Sequence, residues 1–177
     1  MPAANALVDV RGLGRTLGSN RVTPFRRLDY ATVRSNDGAR VALAVGSGMT
    51  TAILVASVWE DTGLTIMARL RGNTGAYILQ ADFSGIAASV FPIKDADNPT
   101  LNAAALTVSS VVFDTLQTTS DDPRWTADGT GFNFLYTVPA SAFATPGKHR
   151  LEIVFNPSSG DDWPLVYTVD VKSLYVS

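Results

Sequence analysis

Hydrophobic and polar positions alternate with a period of two wherever the chain shows a regular pattern. In Leu64–Arg71, Leu64, Ile66, Ala68 and Leu70 share one face and Thr65, Met67, Arg69 and Arg71 the other. The turn sequence RGNTG follows, and Tyr77, Leu79, Ala81 and Phe83 resume the alternation, so a hairpin is expected. In Leu106–Leu116 the phase slips by one residue, and Ser109-Ser110 is the expected bulge. The last third is the most regular. Phe132, Phe134, Tyr136 and Val138 fall on one face; His149, Leu151, Ile153 and Phe155 on the next; Leu165, Tyr167, Val169 and Val171 on the last. TPGK and NPSSGDD supply turn chemistry between these runs.

No window carries a sustained helical stripe. Pro139 suits the start of a helix, so PASAF at 139–143 is expected to make a single turn. About nine strands are expected between residues 41 and 176, which indicates an all-β antiparallel sandwich. Residues 1–40 lack such alternation and are read as an extended arginine-rich arm, with residues 41–177 forming the sandwich domain.

The 19 uncharged residues VALAVGSGMTTAILVASVW, 41–59, have the length of a membrane-spanning helix. Gly46-Ser47-Gly48 and Thr50-Thr51 divide them, and the halves Val41–Val45 and Thr51–Val58 read as two short strands. No membrane partner is expected.

A chain of 177 residues suits one domain, and the absence of cysteine removes thiol catalysis, thiolate zinc sites and disulfides. Charged residues make up 17%, low against roughly 25% for soluble domains, a hint that other subunits cover part of the surface. The charge is also divided. Residues 1–40 hold seven arginines against three aspartates, a net +4, and the remainder carries −6. Arg11, Arg15, Arg21, Arg26 and Arg27 are therefore candidate partner-binding residues. No aromatic ladder accompanies them, so an acidic protein surface is preferred to nucleic acid as the partner.

Other chemistry is sparse. Gly12, Gly14 and Gly18 are spaced one residue too long for a dinucleotide fingerprint, and no helix is expected after them. His149, the only histidine, is in phase with three apolar residues and is read as inward-facing or at the sheet edge after a turn. Aspartates cluster at Asp95 and Asp97, at Asp121, Asp122 and Asp128, and at Asp161 and Asp162. Turn formation is their ordinary role, ahead of a loop calcium ion or a catalytic pair. Trp59, Trp125 and Trp163 each lie near acids at expected strand ends, where a ring can plug the sandwich, anchor an interface or stack on a glycan. No catalytic residue, metal ligand or cofactor is assigned.

In the order VVFDTL, DDPRW, GFNFLYTVPASAF, PGKHRLEIVF and PLVYTVDV, residues 106–171 resemble Ig-like β-sandwich domains of tailed-phage structural proteins, of the baseplate upper protein and fibre-attachment kind. IMARLRGNTGAYILQADFSGIAASVF, 66–91, is similar to the earlier half of such domains, so the resemblance spans roughly 64–172. It implies a non-enzymatic component of the virion that assembles with copies of itself and with other virion proteins. It carries over no functional residue and does not extend to residues 1–60. The alternative reading is a carbohydrate-binding module that recognises host glycans through the loop tryptophans.

Overall fold

The structure, a computed structural model, describes residues 25–35, 40–44, 54–72 and 75–174. Ten strands and one short helix follow in the order β1 (Phe25–Ser35), β2 (Arg40–Ala44), β3 (Leu54–Trp59), β4 (Leu64–Gly72), β5 (Phe83–Pro92), β6 (Leu101–Leu106), α1 (Val108–Val111), β7 (Val112–Gln117), β8 (Phe132–Val138), β9 (Gly147–Pro157) and β10 (Trp163–Lys172). They form two five-stranded sheets, β2-β1-β4-β8-β7 and β3-β10-β9-β5-β6. All pairings are antiparallel except that of β3 with β10. No helix among the described residues is long and apolar enough to cross a membrane; residues 54–59 of the uncharged run are strand β3.

The alternation read from the sequence becomes the core. Leu64, Ile66, Ala68 and Leu70 of β4 meet Leu151, Ile153 and Phe155 of β9 and Leu165, Tyr167, Val169 and Val171 of β10 in one buried cluster. Phe155 lies edge-on to Phe134, with ring centroids 5.1 Å apart, so the aromatic contact joins the two sheets. His149 occupies an inward position beside them and is 1% exposed. Its ring stands edge-on to Phe143, and Nδ1 lies 3.2 Å from the Gly147 carbonyl. Burial also raises the pKa of the Tyr167 hydroxyl above the usual phenol range. The expected turn at PASAF is present as a 3-10 turn over Ala140–Phe143, which delivers Phe143 to the core.

Several elements differ from the sequence expectation. The hairpin expected across RGNTG closes only next to its turn, where Gly72 N donates to the Ala76 carbonyl (2.8 Å) and Tyr77 meets Arg71 in one antiparallel bridge; beyond it β5 joins the other sheet. A 3-10 turn at Gln80–Asp82 makes the crossing, held by the Leu79 and Gln80 N–H groups donating to the carboxylates of Asp82 and Asp114. Ser109-Ser110 is not a bulge within one strand. It lies in α1, the single helical turn through which the chain passes from β6 in one sheet to β7 in the other.

Phe132 also leaves the face it was expected to share with Phe134. The Asn133 side chain takes the place of strand backbone beside β4, its Oδ1 accepting from Leu70 N (2.6 Å) and its Nδ2 donating to the carbonyls of Leu70 and Ile78 (3.0 Å each). The β4–β8 ladder ends one step earlier, at Ala68 and Phe134, and Phe132 joins Met67 on the opposite side of the sheet.

Of the segment read as an arm, residues 25–35 are β1, paired along β4. The alternation there is hidden by register shifts between Phe25 and Arg27 and between Leu28 and Tyr30, which bring Leu28, Ala31 and Val33 opposite Leu70, Ala68 and Ile66. Residues 1–24 and 36–39 lie outside the described residues.

Candidate functional site

Polar chemistry is concentrated where the connection between β7 and β8, residues 118–131, folds back over the outer face of the first sheet. Local bonds shape this loop. Asp121 Oδ2 accepts from Thr118 N (2.7 Å), Asp122 Oδ1 accepts from Arg124 N (2.9 Å), and Trp125 N donates to the Asp122 carbonyl (3.0 Å). The turn drives Trp125 inward until it is fully buried against Met67 and Phe132, 5.3 Å between the ring centroids of Trp125 and Phe132. Its indole N–H donates to the Asp128 carbonyl at 2.9 Å. Phe113 closes the cluster edge-on to Phe132.

A charge sits beneath this second core. Arg69, 6% exposed, projects from the face of β4 opposite the main core. Its Nε donates to the Gly131 carbonyl (2.7 Å), and Nη2 grips both carboxylate oxygens of Asp128, at 2.6 Å to Oδ1. The guanidinium carbon also lies 5.8 Å from the Trp125 ring centroid. Asp128 further accepts from the N–H groups of Thr130 and Gly131. Burial opposes the charge on Asp128, but the Arg69 hydrogen bond, the two backbone N–H groups and the positive guanidinium outweigh it and hold the carboxyl below its ordinary value. At Gly131, φ is 101° and an added Cβ would run into the Gln117 carbonyl, so this position needs glycine. Arg124 completes the clamp, pairing with Asp122 at 2.7 Å and reaching Thr65 Oγ1 at 3.3 Å.

The arrangement is a fastening. Asp122 and Asp128 are each paired with an arginine, Asp121 holds a turn, and Asp95 likewise accepts from the Asn98 amide. Among the described residues, no three acidic or histidine side chains gather to hold a metal ion. In the sequence Arg69 is simply one residue of the strand face that holds Thr65, Met67 and Arg71. The signal for its role was an arginine in phase with Met67 on that face, combined with a tryptophan enclosed by aspartates in a later loop.

The tryptophans occupy three different environments. Trp125 is inside the second core. Trp163, half-buried at the start of β10, stacks on Phe155 at 4.9 Å. Trp59, 37% exposed, ends β3 with Lys172 Nζ 5.7 Å from its ring centroid. Because Trp59 is in register with Lys172, it and Trp163 sit at opposite ends of β10, roughly 30 Å apart along the strand. The three rings therefore form no common platform of the kind a glycan would need. Of the candidate arginines, Arg26 and Arg27 fall in β1, with Arg27 in register with Arg71; Arg11, Arg15 and Arg21 lie outside the described residues.

Comparison with protein-family models, with curated proteins and with solved structures finds no match. The geometry itself defines the class: an all-β protein of two sheets packed face to face over a single main core.

Proposed function

We propose that the chain is a non-enzymatic structural subunit of a tailed-phage virion, an Ig-like sandwich that assembles through its N-terminal segment and its sheet edges. The observation that carries this reading is the strand order. β4-β8-β7 in one sheet against β10-β9-β5-β6 in the other matches the immunoglobulin arrangement B-E-D against G-F-C, with β1 in the place of strand A and β6 as an added edge strand. This supports the Ig-like part of the resemblance of residues 64–172 on grounds independent of its turn sequences; the virion setting rests on the sequence resemblance.

The use of polar groups points the same way. The buried ionic pair and most of the loop aspartates shape turns and fasten a loop, and His149 is enclosed in the core. Residues 1–24 carry Arg11, Arg15 and Arg21 against Asp9, while the rest of the chain from residue 41 is net acidic. The segment docks on the acidic body of a neighbouring copy or of another virion protein, and no cofactor takes part.

The test is the molar mass of the purified chain by light scattering, with and without residues 1–24. The truncated chain is expected to keep its β-sheet circular dichroism and to lose self-association. A folded truncated chain that assembles as the full chain does overturns the proposal.

A further inference from the structure

We infer that residues 118–131 are an acid-sensitive strap: they open from the first sheet as one unit while both sheets stay paired, and protonation of Asp128 favours the open form.

The strap is built apart from the sandwich. The main core lies between the sheets, whereas Trp125, Met67 and Phe132 form a second cluster on the outer face of the first. The strap is also bonded within itself. Asp121 N and Asp122 N both donate to the Thr118 carbonyl at 3.0 Å, and Thr119 Oγ1 donates to the Trp125 carbonyl at 2.9 Å. Side chains fasten it to β4: Arg69 holds Asp128 and the Gly131 carbonyl, and Arg124 reaches Thr65. Strand pairing thins where the strap begins and ends. β7 meets β8 at Val112–Phe134 and Gln117–Phe132 with a register shift between them, and the β4–β8 ladder stops at Ala68–Phe134. Cooperative units that open separately have such local bonding and few ties to the rest of the fold.

The fastening depends on one charge that acid removes. Arg69 stays protonated at any pH of interest, and with Asp128 neutral its guanidinium is left 6% exposed beneath Trp125 without a counter-charge. Lifting the strap returns that guanidinium to water. It also bares Met67, Phe132 and Phe113 as an apolar strip on the sheet face.

The other charges nearby do not replace Asp128. Arg71 follows Arg69 on β4 and lies over the Tyr77 ring at 4.3 Å. Within the strap, Asp122 is paired with Arg124 and Asp121 holds its turn. Asp114 of β7 accepts from Gln80 N, and β8 holds no charged residue. On β1, Tyr30 is in register with Arg69 and Arg27 with Arg71. While the strap is closed, the Asp128 carboxyl titrates below its ordinary 3.8, so closure is favoured above that value and weakens as pH falls through the closed-form pKa.

The test is hydrogen exchange on the full chain, read as protection factors. Between about pH 6 and about pH 2.5, opening of residues 118–131 and of the Trp125 indole N–H is expected to rise at least roughly threefold, with residues 149–155 of β9 unchanged. In Asp128→Asn, opening should already be raised at neutral pH and should no longer respond to acid. In the unaltered chain, the carboxyl carbon shift of Asp128 should titrate in step with the opening, a measurement that serves even if the variant does not fold. Protection lost together in the strap and β9 would mean that the whole sandwich gives way, and overturns the inference. So does an acid response that persists in Asp128→Asn, or one whose midpoint departs from that of the Asp128 carboxyl.

Discussion

The outer face of β4 offers Thr65, Met67 and Arg69, and the outer face of β9 offers Lys148, Arg150, Glu152 and Val154. Both are mixed polar strips on central strands, one in each sheet. Yet the three residues on β4 are all buried, whereas those on β9 are exposed or half-buried. The cause lies in the connections. β7 and β8 are separated by residues 118–131, long enough to fold back and lay Trp125 on the sheet, while β9 and β10 are separated only by residues 158–162. A polar strand face thus becomes interior or surface according to the loop that returns over it. The same contrast fixes the worth of its ion pairs, since Arg69 and Asp128 meet beneath a tryptophan and Arg150 and Glu152 meet in solvent.

Removing the cover should break the comparison most severely. Trp125→Ala deletes the centre of the cluster with Met67 and Phe132, and is expected to cost about 3–5 kcal/mol in urea unfolding. It should also increase hydrogen exchange in residues 118–131 far more than in β9. A cost below about 1 kcal/mol would mean that the loop does not stabilise the sheet beneath it.

Asp128→Asn tests the charge under that cover. It keeps the shape of the side chain and weakens the hold on Arg69, for an expected loss of about 1–2 kcal/mol at neutral pH, moderated by partial exposure of the carboxylate. The carboxyl titrates in the folded state below its ordinary 3.8, so its stabilisation is present above that value and is lost as pH falls through the folded-state pKa. The stability gap between the unaltered chain and Asp128→Asn should therefore hold from neutral pH to about 4 and close below it. A gap unchanged down to pH 2 would assign the effect of Asp128 to something other than its charge.

How far the sequence revealed this architecture depended on whether a segment obeyed one period. β9 and β10 alternate without interruption, and their inward residues, His149 among them, were legible directly. β1 conceals its strand behind two register shifts. Phe132 departs from its expected face because Asn133, midway between Phe132 and Phe134, substitutes its amide for strand backbone and turns the chain over; nothing in an alternating pattern distinguishes that asparagine from an ordinary outward one. The crossings at Gln80–Asp82 and α1 were hidden for a related reason. Each joins two stretches that alternate normally, and periodicity reports the strand without naming its sheet. The candidate site was legible as ingredients, tryptophan and aspartates in one loop, but the partner Arg69 is 59 positions from Asp128. Only the pairing of β4 with β8 brings them together.

The smallest effect should come from the open face. Arg150 and Glu152 are 2.6 Å apart in an ion pair whose arginine side chain is 55% exposed. Two residues apart on one strand, they lie on the same face, so holding them together requires no tertiary structure beyond the strand itself. Water competes for both groups and salt screens them, so Arg150→Ala is expected to change stability by no more than about 0.5–1 kcal/mol. The effect should diminish further in 1 M salt. The informative outcome is the contrast with Asp128→Asn in that same buffer, where the loss at the covered pair should survive, because the loop excludes from Arg69 the ions that reach Arg150. Equal salt sensitivity at both positions would place Arg69 in contact with solvent and remove the distinction between the two faces.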